Sequence, residues 1–484
     1  MGQGARRLAE RAGESVSALE DSEALRALET QGPSVLVVPD PFAESALARR
    51  AHELGIPILA VDPNRRSRLL RPASPDRLVP PEDETALAHA MLELTRARIT
   101  PRPPVEKTEA PRPKRVLIFR TALNEGGADR VTITLLEKLD RAKVHPTLVL
   151  MRSDGPYLGD VPSDVRVIAL DEPSLWTALP ALVKAVAEES PDVLFALGGG
   201  ESILAAAAHE LTGRGRRLVV SERNIAWNGG RSARRGFQLA LKRALYPRAD
   251  LVTAVSEGVR DDFVNRLHLD PSCTHVLYNP VVDDRLDELA RAPVTHPWFP
   301  GARGERPVPV VLGCGRLVRQ KGFDVLLSAF SRLSTRRDAR LVILGEGPER
   351  ARLLELGRTL GIGERMALPG FDKNPHRYMA RADAFVLSSR NEGLPGALIQ
   401  AMAAGAPAIS TRCPSGPDEI ISEPGENGIL VPVDDAEALA VALERVLSSS
   451  TLAHQLSTAG RLAARRFGVS EAVRAYEAAI AGTS

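Results

Sequence analysis

Short β-branched runs alternate with amphipathic helical stretches twice over in this chain. That alternation limits the fold more than any other feature. KRVLIF (114–119), PTLVLM (146–151), VRVIAL (165–170), PDVLFAL (191–197), RLVVS (217–221) and DLVTAVS (250–256) read as a first series of strands. VPVVLGCG (308–315), ARLVILGEG (339–347), ERMALPG (364–370), ADAFVLSS (382–389), PAISTR (407–412) and GILVPV (428–433) read as a second. Segments such as GADRVTITLLEKL and GFDVLLSAFSRLS lie between them. Strand–helix alternation predicts parallel sheets covered on both faces. Two series predict two doubly wound α/β domains facing a cleft, with ligand at the carboxyl ends of the strands.

The 484 residues are too many for one ordinary core. The stretch TPRPPVEKTEAPRPK, residues 100–114, is rich in Pro and charge and reads as a linker. Before it, DRLVPPEDETALAHAMLEL (76–94) parallels NGILVPVDDAEALAVALERV (427–446), and ELGIPILAV (53–61) parallels AAGAPAIST (403–411). Residues 34–97 therefore resemble a worn copy of the end of the chain, with Phe42 where the later copy has Glu392. Two generic strand–helix units would also give this match.

A formal net charge of +2 provides no global field for nucleic acid, and 4% aromatics provide few stacking platforms for single strands. The N-terminus has no apolar signal-peptide core, and no apolar run is long enough to span a bilayer. The three cysteines, Cys273, Cys314 and Cys413, form no CxxC pair and read as reduced, buried thiols of a cytoplasmic protein.

Three loops carry candidate chemistry. In SRNEGLPGALIQAMAAG (389–405), Glu392 and Gly393 follow a strand, and Leu394 and Pro395 lead into a helix. Such a helix start favours an anion such as phosphate. Glu392 and Gln400 can bond several hydroxyls without a metal. Glu392 also fits a plain role as partner of the helix dipole. In GRLVRQKGFDVLL (315–327), Gly315 closes a strand, and Arg316 and Lys321 follow before a helix. A planar fork and a point charge suit a diphosphate leaving group, although two solvated loop charges would look the same. In LNEGGADRVTITLLEKL (123–139), Gly126 and Gly127 permit close approach of backbone to a ligand, but the pattern is not GxGxxG.

In this order the three loops resemble family 4 of the retaining glycosyltransferases, of GT-B architecture. So do SERN (221–224), VSEGVRDDF (255–263), LYNPV (277–281), LVILGEGPER (341–350), LPGF (368–371) and CPSGPDEI (413–420). The resemblance covers roughly residues 114–480. It implies an N-terminal α/β extension (1–99) like a degenerate C-terminal fragment of the fold, then a linker (100–114). An acceptor-side Rossmann-like domain (115–300) and a nucleotide-sugar-binding one (301–484) follow. It further implies metal-independent transfer of a sugar from a nucleotide donor, UDP favoured, to a hydroxyl of a glycan or lipid-linked acceptor.

By the same resemblance Glu392, Arg316 and Lys321 carry the chemistry. Gly126, Gly127, Arg223, Gly315, Phe371, Gly393, Leu394 and Gln400 hold the donor, with Phe371 near the base. Gln400 stands where the family has a second glutamate, and Arg223 where it often has histidine. No cofactor, metal or nucleic acid is implied. Alternatives on the same architecture are an epimerase, a phosphorylase and a non-catalytic nucleotide-sugar-binding scaffold. SARRGFQLALKRALYPR (232–248) reads as a basic amphipathic helix, with Arg234, Arg235, Lys242 and Arg243 beside Phe237, Leu239, Leu241 and Leu245. It fits peripheral contact with an anionic membrane face, or a solvated helix with one buried side.

Overall fold

The computed structural model describes residues 112–484 except 125, 176, 214, 226–232, 304 and 484, with only the backbone of 233–235. Of the N-terminal part it describes the backbone of four strands, β1 (Leu36–Pro39), β2 (Ile58–Val61), β3 (Ser67–Arg71) and β4 (Ser74–Val79). β1 and β2 pair in parallel, and β3 runs antiparallel between β2 and β4. The rest of the proposed repeat and almost all of the linker lie outside the described residues.

The first series forms a seven-stranded parallel sheet. Its strands are β5 (Lys114–Arg120), β6 (Val144–Leu150), β7 (Arg166–Ala169), β8 (Val193–Leu197), β9 (Arg217–Glu222), β10 (Leu251–Ala254) and β11 (Thr274–Val276), in the order β7-β6-β5-β8-β9-β10-β11. The second forms a six-stranded parallel sheet from β12 (Val310–Cys314), β13 (Arg340–Leu344), β14 (Met366–Gly370), β15 (Ala384–Leu387), β16 (Ala408–Thr411) and β17 (Ile429–Val431), in the order β14-β13-β12-β15-β16-β17. In each sheet the order reverses beside the first strand, between β5 and β8 and between β12 and β15. Those two points are where open α/β sheets leave a crevice for ligand. The two expected Rossmann-like domains are present.

Side-chain alternation accounts for the layers. Leu117 and Phe119 of β5 enter one apolar cluster, and Val116 and Ile118 enter another on the opposite face. Val311 of β12 likewise parts from Val310 and Leu312. The cluster containing Leu117 and Phe119 continues through Leu286 and Phe299 into Val310, Leu312 and Phe385, so one core joins both domains.

The chain crosses between domains twice, and the crossings lie side by side. Val281 and Val282 donate backbone hydrogen bonds to Phe467, and Val469 donates one back to Val282. The last helix, Val469–Ala481, then packs on the first sheet. Val469, Val473, Tyr476, Ala479 and Ile480 join the cluster of Val116 and Ile118. This corrects the assignment of all of 301–484 to the second domain. The apolar stripe of this helix matches the open face beside helix α1 (Gly127–Lys138), and only the folded chain shows which sheet it reaches.

Candidate active site in the interdomain cleft

The site is assembled from loops at the carboxyl ends of β12 and β15, the central strands of the second sheet. The loop after β12 passes Gly315 and exposed Arg316 and reaches Lys321 just before helix α2 (Phe323–Ser334). The loop after β15 carries Glu392 and leads into helix α3 (Gly396–Ala403). The loops are stitched together by backbone. Arg390 donates its N–H to Gln320 O at 2.8 Å, Gln320 Nε2 to Asn391 O at 2.8 Å, and Ser388 Oγ to Lys321 O at 2.9 Å.

At the centre, Lys321 Nζ and Glu392 Oε1 form an ion pair at 2.6 Å. Ser389 Oγ donates to the same oxygen at 2.6 Å. Their side chains are 20% and 9% exposed, so the lysine keeps an open side. Gly315 seats the lysine stem, since a Cβ there would lie 3.3 Å from Lys321 Cε. The side chain of Arg316 makes no ion pair or hydrogen bond among the described residues. Arg316, Lys321 and Glu392 therefore surround one switch point, with two cations available to an anion and a carboxylate available to hydroxyl donors. Gln400 lies about one turn into α3, half-buried, and its amide makes no hydrogen bond among the described residues. Leu394 is core, 7% exposed, which leaves only its backbone for a ligand.

The first domain closes on this loop at Gly393. A Cβ on Gly393 would run into the carbonyl oxygen of Arg223, so only glycine allows this approach. Ser256 and Ser415 each donate to Gly393 O at 2.9 Å. Glu419 accepts from Gly258 N at 3.1 Å and from Tyr278 OH at 3.2 Å. Burial and Glu419 raise the Tyr278 phenol to about 12, so it stays a donor.

Arg223 meets the Glu392 loop through its backbone. Its guanidinium turns toward the domain crossing, donating to Asn279 Oδ1 beside Tyr476 of the last helix. Its Nε and Nη2 are buried and within no hydrogen-bond geometry among the described residues, and burial lowers its pKa while Tyr476 opposes the shift. Phe371 packs edge-on against Tyr157 of the first domain, with ring centroids 6.2 Å apart. Nearby, Arg130 donates to Lys373 O at 3.0 Å, and Lys373 pairs with Asp160 at 3.1 Å. Gly126 caps α1, and Gly127 is exposed at its start.

Residues that the motif reading missed line the carboxyl edge of the first sheet. Arg120, at the end of β5, pairs with Asp129 at 2.5 Å and Glu201 at 3.0 Å and donates to Leu197 O. Burial raises the Asp129 carboxyl despite Arg120. Glu222, at the end of β9, pairs with Lys242 Nζ at 2.8 Å and accepts from Tyr246 OH. A charge closing an otherwise apolar strand, as in VLIFR and LVVSE, is the signal that could have found them.

Lys242 therefore does not belong to a solvent-facing basic stripe. Helix α4, Ala233–Leu245, buries Leu241 and Leu245, and Arg243 caps Arg266 O. The side chains of Arg234 and Arg235 lie outside the described residues. No helix among the described residues is long and apolar enough to cross a membrane. Among them, no three His, Cys, Asp or Glu side chains are grouped to hold a metal ion. Cys273 is exposed, contrary to the expectation of three buried thiols, because its short loop before β11 lies at the sheet edge. Burial raises Cys314 and Cys413 to about 12.

The family described as Glycosyltransferase Family 4 matches residues 125–285, and Glycosyl transferases group 1 matches 302–463. A Campylobacter jejuni protein named N-acetylgalactosamine-N,N'-diacetylbacillosaminyl-diphospho-undecaprenol 4-alpha-N-acetylgalactosaminyltransferase is 30% identical over 366 residues, which is 72% of this chain and 94% of that protein. A Mycolicibacterium smegmatis GDP-mannose-dependent alpha-(1-6)-phosphatidylinositol monomannoside mannosyltransferase is 31% identical over 228 residues, covering 44% of this chain and 57% of that one. Two solved structures share the fold over 76% of this chain and all of theirs. They are Anabaena HepE with UDP and glucose (TM-score 0.63, 19% identity) and WaaG, a glycosyltransferase of lipopolysaccharide biosynthesis (TM-score 0.62, 17% identity). On this ground the chain belongs to glycosyltransferase family 4, and it is a glycosyltransferase of GT-B fold.

Proposed function

We propose that the enzyme moves a hexosyl or N-acetylhexosaminyl group from a UDP-sugar to a hydroxyl of a lipid-linked glycan, in envelope or exopolysaccharide synthesis. Transfer proceeds with retention and without a metal ion. The observation that carries this reading is the open Lys321–Glu392 pair beside exposed Arg316, unpaired among the described residues, at the switch point of the second sheet. Arg316 and Lys321 take the diphosphate, and their charge stabilises it as it leaves. Glu392 accepts hydrogen bonds from the sugar hydroxyls, Gln400 from or to the ribose diol. Gly126, Gly127, Gly315, Gly393 and the backbone of Leu394 line the donor, and Phe371 lies near the base. Arg223 supports the donor loop from across the cleft.

In the chemical step the bond from the anomeric carbon to phosphate breaks, and its electron pair goes to the phosphate oxygen. The acceptor oxygen bonds to that carbon on the same face, and its proton passes to the departing phosphate. The UDP complex of HepE supports the choice of base, and the name of the Campylobacter relative supports a lipid-diphosphate-linked acceptor. Such an acceptor places the reaction on the cytoplasmic membrane face. Residues 232–248 would touch that surface through Arg234, Arg235 and Arg243 rather than Lys242. Flotation with anionic vesicles tests this contact.

The test of the reaction is donor hydrolysis over a panel of UDP- and GDP-sugars with EDTA present. Wild type should consume one donor, and Glu392→Ala and Lys321→Ala should lose about 10²–10³-fold. Full activity in both variants, or activity abolished by EDTA, would sink the reading.

A further inference from the structure

The carboxyl edge of the first sheet contains a second cluster of charged groups, and it is built around a glycine turn. β8 ends at Leu197, and Gly198, Gly199 and Gly200 turn the chain into the helix Gly199–Leu211. Gly198 has a φ of +147°, and a Cβ on it would lie 2.5 Å from Glu201 Oε2 and 3.0 Å from Arg120 Nη1. A Cβ on Gly199 would lie 3.1 Å from Lys242 Nζ and 3.2 Å from Glu222 Oε2. The turn is thus wedged between two ion clusters, and side chains are missing where those clusters meet it.

The two clusters differ in what they leave over. Arg120 is shared by Asp129 and Glu201, and Thr121 Oγ1 adds a hydrogen bond to Glu201 at 2.7 Å. In the other cluster both partners fall on one oxygen, since Lys242 Nζ and Tyr246 OH each address Glu222 Oε1. Lys242 also lies over the Phe263 ring, 5.0 Å from its centroid. Tyr246 is a fixed donor, because burial and Glu222 push its pKa well above the ordinary phenol value. Glu222 Oε2 makes no hydrogen bond among the described residues, in a side chain that is 4% exposed. A carboxyl oxygen beside a glycine, with its twin doubly held, is an acceptor waiting for a hydroxyl donor.

Its position links it to the reaction. Arg223, the next residue, touches Gly393, and Gly393 adjoins Glu392. Glu222 and Glu392 therefore each stand one residue from the same interdomain contact, one in each domain. We propose that Glu222, positioned by Lys242 and Tyr246 over the Gly198–Gly199 turn, binds a hydroxyl of the acceptor sugar on the first-domain side of the cleft. This rests on the transferase reading above, and it adds the site that holds the acceptor. Lys242 and Tyr246 are positioning residues. Glu222 takes no proton from the acceptor, because the departing phosphate does.

The test compares water with a sugar as acceptor. Wild type and Glu222→Gln are given the donor alone, and then the donor with a panel of short-chain polyprenyl-diphosphate-linked mono- to tetrasaccharides. Donor hydrolysis should stay within about twofold, while transfer falls by about 10²-fold, chiefly through a raised acceptor KM. Tyr246→Phe, which removes one hydroxyl and keeps the packing, should lose transfer by about tenfold in the same selective way. It serves if Glu222→Gln does not fold. Glu222→Asp should restore part of the loss. Unchanged transfer in both variants overturns the proposal, and so does a parallel loss of hydrolysis and transfer. Wild type that consumes donor but glycosylates no member of the panel overturns the acceptor class and this subsite with it. Wild type that consumes no donor overturns the transferase reading itself, before any variant is compared.

Discussion

The two sheets share a strand order but finish differently at the cleft. The carboxyl edge of the first buries Arg120, Asp129, Glu201 and Glu222, with half-buried Lys242 beside them, in paired clusters. The edge of the second keeps one pair, Lys321–Glu392, partly open, and leaves Arg316 exposed. The same topology thus serves two purposes. One edge holds its charges mostly in compensating pairs, with one Glu222 oxygen left over, and the other keeps cations ready for an anion that arrives and departs.

The sharpest way to break this contrast is to remove one cation from each edge. Arg120→Met leaves Asp129 and Glu201 buried without compensation and should cost about 3–5 kcal/mol. Lys321→Ala should cost no more than about 1 kcal/mol, since its pair is partly solvated. Thermal melting of both compares them, and equal losses would erase the distinction between the edges.

A titration sharpens it next. His376, 2% exposed in the second domain, has its pKa lowered to about 4 by burial and by Arg130, with Asp283 opposing. Its folded pKa lies below the unfolded value of 6.5, so the neutral form is favoured in the fold. The penalty is absent above pH 6.5, grows as pH falls, and levels off below about 4, reaching about 3 kcal/mol. His376→Asn should flatten that part of the stability–pH curve measured by urea unfolding. A curve unchanged by the substitution would remove His376 as the cause.

Gly393→Ala should force the domains apart at Arg223 and reduce donor turnover by about tenfold, because a small misplacement of reacting groups is costly. The melting temperature should fall as well, because the clash is with backbone. Wild-type turnover would mean that the contact is not part of the working conformation. The smallest effect belongs to Gln400→Glu. Restoring the acid should tighten nucleotide binding a few-fold by calorimetry, since a carboxylate accepts from both hydroxyls of a diol.

Much of this was readable from the residues. Twelve strands announce themselves as β-branched runs, and Gly315–Lys321 and Glu392–Gln400 follow two of them as loops with suitable chemistry. Thr274–Val276 escaped because Thr and His leave it one apolar side chain, whereas the equally short Ile429–Val431 is apolar throughout. Lys242 looked like a surface cation because a helical stripe says nothing about a carboxylate contributed by a strand twenty residues earlier. The pairing of Arg120 with Glu201 spans 81 positions, and no local pattern encodes such a meeting. Arg223 sits in the right segment, but its side-chain direction depends on Asn279 and on Tyr476, far along the chain.

The docking of the final helix on the first sheet has a consequence for synthesis of the protein. A ribosome completes the first domain's strands long before it has made residues 469–481. Until those residues emerge, the face lined by Val116, Ile118 and Phe195 has lost part of its cover. The nascent first half must therefore wait, partly open, for residues 469–481, with apolar surface exposed during that interval. Termination before residue 469 would spare every loop of the second domain's site, yet it would release a product with part of an apolar face bare.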